Sequence, residues 1–203
     1  MSDPYDFRSK SMLHRLCLKV ALAALAALLG FAAPAIAENY TVDAAHAGIN
    51  FKIAHLGLSW IQGRFDEFSG NFTIDATTPE KSSFAIEINP ASIDTNNQKR
   101  DEHLRSPDFL NVKQFPAMNF KSTAVRPVKG GYEVIGDFTM HGVTKSINLE
   151  LVGGRTDEFP PGVTRTGFSA EFVLKRSDFG IGKATPAIGD KIYVAVSFEG
   201  TRK

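Results

Sequence analysis

Cysteine is almost missing from this 203-residue chain: Cys17 is the only one, so no disulfide staples the fold. Stability has to come from a packed core. Tryptophan is as scarce, with Trp60 alone. An excess of either charge sign is missing too, since 23 Lys and Arg stand against 22 Asp and Glu. Nucleic acid or an acidic membrane surface would call for a basic bias, and composition supplies none. Long apolar runs are also lacking. The longest, Val20 to Ala33, holds 14 residues, short of the ~20 a helix needs to span a bilayer.

That run has another use. Arg8, Lys10, Arg15 and Lys19 precede it, Pro34 follows, and Ala35-Ile36-Ala37 fits a small-x-small cleavage pattern. Residues 1–37 therefore read as a cleaved Sec-type export signal; an uncleaved N-terminal anchor is the alternative. No arginine pair supports a twin-arginine route, and Cys17 lies before the apolar run, where lipoprotein acylation is excluded. The expected location is the periplasm, with no stable membrane span after cleavage. Residues 38–203 form one domain by size, carrying 19 Lys and Arg against 20 Asp and Glu, a net charge of −1. Fourteen of the 16 phenylalanines fall in this part, ample filling for an apolar interior.

Period-2 alternation dominates the domain. Ile49, Phe51, Ile53 and His55 share one face; Phe68, Gly70, Phe72 and Ile74 do the same, as do Phe84, Ile86 and Ile88. Met118 to Ala124, Tyr132 to Met140, Val143 to Leu151, Phe168 to Leu174 and Ile192 to Phe198 continue the pattern. Lys129-Gly130-Gly131 and His141-Gly142 mark tight turns, while Gly153-Gly154 and Phe159-Pro160-Pro161-Gly162 bound a longer loop. The expected fold is all-β: an eight-stranded antiparallel barrel with one short helical insert. A sandwich is the other candidate, but one apolar face per strand and a meander of short turns favour the barrel. Eight strands leave room for packed side chains or one elongated ligand.

The insert runs from Ser92 to Phe109, and seven consecutive polar residues from Asp94 to Arg100 have little place in a sheet. Helical period appears from Asn96 to Arg105, with Asn96 or Asn97 as cap and Pro107 beyond the end.

An ordered set of short motifs then resembles the YceI family. Tyr40-Thr41-Val42-Asp43, His46, Ile49-Asn50-Phe51, His55-Leu56-Gly57, Gly63-Arg64-Phe65, Phe68-Ser69-Gly70 and Ser92-Ile93-Asp94-Thr95 open it. Arg100-Asp101, His103-Leu104-Arg105-Ser106, Asp108-Phe109, Phe115-Pro116-Ala117, Gly136 to Thr144 and Arg176 to Ile181 complete it. The resemblance implies a lipocalin-like barrel with a helix near one end and an apolar cavity for a long isoprenoid or other amphiphile. It attaches no reaction and no cofactor to the chain.

An isoprenoid tail needs a deep pocket of Phe, Ile, Leu, Val and Met with few polar groups near the mouth. The inward faces offer Phe51, Ile53, Phe72, Phe84, Ile86, Phe120, Phe138, Phe168 and Phe172 as walls. Plain core filling is the alternative for each. Trp60 suits a cavity mouth through its amphipathic ring, or acts as a structural plug. His46 and His55, with Arg100, Asp101 and Arg105 of the insert, are candidates to meet a polar head group, since Arg grips phosphate-like groups bidentately. Local ion pairs on a solvated helix would explain the same charges. Arg176 and Asp178 are expected to pair with the insert.

No metal is expected, because His46, His55, His103 and His141 lack close ligand spacing and no cysteine assists. Asp178-Phe179-Gly180 is a chance kinase-like match without its companion loops, and Gly180-Ile181-Gly182-Lys183 lacks P-loop spacing. The expected role is a binding protein for an isoprenoid lipid or quinone-like ligand. An enzyme built on a pair such as His55 with Asp101, and a surface-acting stress factor with a filled barrel, are the rivals. Monomer and dimer fit the pattern equally.

Overall fold

Alternating side chains become sheet once each strand finds neighbours on both edges. The structure, a computed structural model, describes residues 37–183 and 186–202; apart from Ala37, the expected signal segment lies outside them. Strands are β1 (Glu38–His55), β2 (Ser59–Phe65), β3 (Phe68–Ile74), β4 (Ser83–Ile88) and β5 (Ile93–Asp94), followed by helix α1 (Gln98–Arg105). The chain continues through β6 (Met118–Val128), β7 (Gly131–Met140), β8 (Val143–Glu158), β9 (Thr164–Lys175) and β10 (Ile188–Arg202). Among the described residues no helix is long and apolar enough to cross a membrane.

β1 is the pivot. One edge runs along β10; the other is shared, with residues 38–41 against β3 and residues 49–55 against β2. The ring β1-β10-β9-β8-β7-β6-β4-β3 closes back on β1, so eight antiparallel strands make the expected barrel. β2 and the short β5 are additions to it, β2 hydrogen-bonded to β1 and β5 to β2. A bulge between Asp43 and Ala47 lets β1 serve both neighbours.

Two segments differ from the sequence reading, both because of glycine. Ser59–Phe65 is a strand, with Ile61 and Phe65 inward, yet its alternation is broken at Gly63. A Cβ there would sit 2.4 Å from Phe51 Cζ and 2.9 Å from Thr95 Cγ2, so the neighbouring ring fills the missing side chain's place. Gly153-Gly154 is likewise a bulge inside β8 rather than the edge of a loop; both residues take positive φ, 132° and 92°, and the strand runs on to Glu158.

The barrel has two unlike ends. At one, Tyr40, Phe72, Phe84, Tyr132, Phe168 and Phe198 interlock, with Phe72 stacked on Tyr40 at 5.1 Å and edge-on to Phe168 at 5.8 Å. Such offset and T-shaped contacts each add ~0.5–1.5 kcal/mol beyond burial. At the other end sit α1, the β1–β2 hairpin and the segments 176–183 and 186–189. Asn97 caps α1 by accepting from the Arg100 amide at 3.1 Å.

Arg176 organises this second end, and it does not pair with the helical insert as expected. Its side chain is 3% exposed and donates to the carbonyls of Gly189 (2.9 Å), Ile181 (2.8 Å), Lys183 (2.7 Å) and Ile188 (2.9 Å). Burial pushes its pKa down, against the pull of Asp190. A planar fork with five donors suits such a bundle of carbonyls, where a lysine would reach few.

Candidate ligand cavity

Between the two ends the barrel is not full. A cavity of about 460 Å³ lies along its axis. Its walls come from the inward faces: Phe51 and Ile53 of β1, Phe84 and Ile86 of β4, Phe120 of β6, Phe138 of β7, Phe172 of β9. These seven were expected from alternation, and the structure brings them together. A filled barrel, the premise of the surface-factor rival, is not what the interior shows.

Three other expected wall residues lie elsewhere. Phe72 and Phe168 point inward but at the aromatic end, where they are 2% and 3% exposed and close the floor below the cavity. Trp60 is outside. It pairs with Ala54 on the outer face, packs edge-on to Tyr193 at 5.3 Å, and has the Lys52 ammonium 5.4 Å above its ring. The Trp60 expectation fails because amphipathic character says nothing about which face of a strand a ring takes.

Polar lining gathers at the helix end: His55, Thr95, Arg100, His103 and Arg176. Of these, His55 and His103 are exposed and mark where the cavity reaches solvent. Arg100 is fixed by its own loop, donating Nε to Thr95 Oγ1 at 2.7 Å and Nη2 to the Thr95 carbonyl at 2.6 Å. Thr95 in turn donates its amide (3.0 Å) and hydroxyl to the buried Asp101 carboxylate. The chain Asp101–Thr95–Arg100 therefore positions a guanidinium on the rim.

The remaining head-group candidates do not reach the cavity lining. Asp101 serves Thr95, and it forms no lining pair with His55 of the kind the enzyme rival needs. Arg105 donates to the carbonyls of Ala91 (2.7 Å) and Ile93 (2.9 Å), tying α1 to the strand before it. His46 lies 55% exposed beside the β1 bulge, bonded through Nδ1 to Asp43 at 2.9 Å. Arg165 donates to the same carboxylate at 2.8 Å, and the hydrogen bonds from Arg165 and His46 hold Asp43 down at about 2, well below the usual carboxylate value.

Sequence reasoning missed His103 and much of the wall. His103 Nε2 meets Asp108 at 2.9 Å, and Lys183 reaches the other oxygen of that carboxylate, lowering its pKa. Ile192, Val194 and Val196 of β10 line the cavity beside Ile61 and Phe65. The β10 residues were legible as an alternating ribbon, and β-branched residues on it were passed over only because phenylalanine drew the choice.

Comparison with known proteins gives a consistent picture. The YceI-like domain model matches residues 40–200. A UPF0312 protein from Ectopseudomonas mendocina is 41% identical over 194 residues, covering 92% of this chain and all of that protein. Protein YceI of Escherichia coli O157:H7 is 40% identical over 182 residues, 88% of this chain and 94% of its own. Among solved structures, the Campylobacter jejuni YceI protein superimposes with a TM-score of 0.67 at 30% identity, over 74% of this chain and 90% of that one. Burkholderia cenocepacia BcnA gives 0.71 at 21% identity, over 78% and 98%. A polyisoprenoid binding domain from Saccharophagus degradans gives 0.61 at 16%, over 81% and 98%. With the YceI-like domain matched over residues 40–200 and a YceI protein 40% identical over most of both chains, the chain belongs to the YceI-like family.

Proposed function

We propose that this protein is a periplasmic carrier that holds a long-chain isoprenoid, such as a polyprenyl lipid or quinone-like molecule, in its barrel. The observation that carries the reading is the 460 Å³ cavity, apolar along most of its length, with its arginines and histidines at the helix end. A tail with no hydrogen-bonding groups needs such a wall, and a polar head needs Arg100, His55 and His103 where the wall stops. Each buried methylene contributes roughly 0.8 kcal/mol, so a five-carbon unit offers ~3–4 kcal/mol before ordering costs. A few units then suffice for stable retention.

Export by residues 1–37 would place the carrier between two membranes, where an apolar tail cannot cross water unaided. The Saccharophagus degradans neighbour, a polyisoprenoid binding domain, agrees in ligand class. The test is native mass spectrometry of the mature protein taken from a periplasmic extract, with organic extraction of any added mass. An isoprenoid is expected. A ligand-free mass, unchanged after incubation with polyprenyl lipids and quinones, would remove the carrier reading.

A further inference from the structure

The β1–β2 hairpin carries apolar side chains that its structure does not need. Leu58 N donates to the His55 carbonyl at 3.0 Å, closing a tight turn with Leu56 and Gly57 at its centre. Both central residues take positive φ, 53° and 68°. That conformation suits Asn-Gly or Asp-Gly and penalises a leucine. Leu56 is nevertheless 57% exposed and Leu58 84%, and a Cβ added at Gly57 would touch nothing within 4 Å. The tip therefore holds two leucine side chains in water.

The outer face behind the tip continues the theme. Register places Trp60 beside Ala54, Lys52 beside Tyr193, Tyr193 beside Val173, and Lys191 beside Lys175. Trp60 and Val173 are each 49% exposed. Aromatic rings backed by lysines below an apolar tip are the arrangement that a bilayer interface accepts: leucine among acyl chains, Trp and Tyr at head-group level, ammonium groups near phosphates. Of the acids on β9 and β10, Asp190 is held by Ser177, Glu171 borders the patch one outward position beyond Val173, and Glu199 lies toward the aromatic end. A near-zero net charge hides this local grouping, which no composition count reveals.

We propose that the β1–β2 hairpin tip docks the protein on an anionic lipid bilayer, with Leu56 and Leu58 inserted and Lys52, Lys175 and Lys191 over the phosphates. A second copy of the chain fits less well, because a two-fold contact would face one lysine-bearing patch with another. The tip also adjoins the mouth. His55 and Ile61 line the cavity on either side of the turn, and the Leu56 amide donates to the Ala187 carbonyl at 2.7 Å. Docking thus sets the cavity's open end against the lipid from which a cargo would come. That use rests on the carrier reading; the docking itself does not.

Trp60, the only tryptophan in the chain, reports directly on the patch, and it lies outside the cavity. Emission is recorded on adding vesicles of mixed phosphatidylethanolamine and phosphatidylglycerol. A shift to shorter wavelength is expected, quenched by brominated acyl chains. Leu58→Asp, at a position too exposed to affect folding, is expected to weaken vesicle partition by about ten- to a hundredfold. Lys52→Gln with Lys191→Gln is expected to erase any preference over phosphatidylcholine vesicles. No shift in the wild type, or an equal shift in Leu58→Asp, overturns the proposal. So does a shift that appears on concentrating the protein without lipid, which would assign the patch to self-association. Retention of isoprenoid mass by the Leu58→Asp protein separates loss of docking from loss of cargo binding.

Discussion

Replacing Arg176 by methionine keeps much of the side chain's apolar length and removes every donor. Four carbonyls, those of Gly189, Ile181, Lys183 and Ile188, lose partners at 2.7 to 2.9 Å. A buried acceptor left unpaired costs about 1–3 kcal/mol. Part of that is recovered because Lys183 is exposed and its carbonyl can turn to water. We expect a net loss of about 3–5 kcal/mol, the range for breaking a buried charged network. Against a typical total of about 5–15 kcal/mol this is a large fraction. Urea unfolding followed by Trp60 emission should show a lower midpoint with an unchanged slope. Hydrogen exchange should rise first in the described part of 181–189. Arg176→Lys is expected to fall between, since one ammonium cannot span four carbonyls. A methionine variant within about 0.5 kcal/mol of the wild type would refute the claim that this side chain organises the barrel end.

Other perturbations test other parts of the account. Gly63→Ala places a methyl 2.4 Å from Phe51 Cζ, so the ring must move toward the cavity; overpacking of this kind costs about 1–3 kcal/mol, and isoprenoid uptake should fall with it. Combining it with Phe51→Leu should restore stability, and a double variant no better than the single one would show that the clash is elsewhere. Asp43 has a folded pKa of about 2 against an ordinary 3.8, so its contribution is present above pH 3.8 and is lost as pH falls through 2. Asp43→Asn should flatten the acid side of a midpoint-versus-pH curve in that window; an unchanged slope would mean the ion pairs with Arg165 and His46 do not contribute.

How much of this was readable beforehand depends on what each residue reports. Alternation reports face, and it placed the eight barrel strands because each has one apolar side. It does not report height along the barrel axis. Phe168 and Phe172 share inward parity on β9, yet only Phe172 lines the cavity; Phe72 sits directly opposite Phe84, and of the two only Phe84 reaches it. Glycine hides pattern where a neighbour occupies its space, which is why alternation misses β2 and the end of β8. The insert was legible as a helix from its polarity and cap, but not which of its charges reaches the cavity. Arg100 and Arg105 are five residues apart on α1; one touches the rim and the other backbone carbonyls, and composition is identical for both.

The central claim is that the space between the β10 wall and the opposing strands holds an apolar chain. Val194→Phe with Val196→Phe puts two rings into that space from residues that line it without being fully buried. The measurement is native mass spectrometry of wild type and double variant after incubation with the same polyprenyl lipid, at matched urea midpoints. The account predicts a lipid-loaded wild type and an empty, equally folded variant. A variant that loads as fully as the wild type would place the ligand outside the barrel and contradict the account.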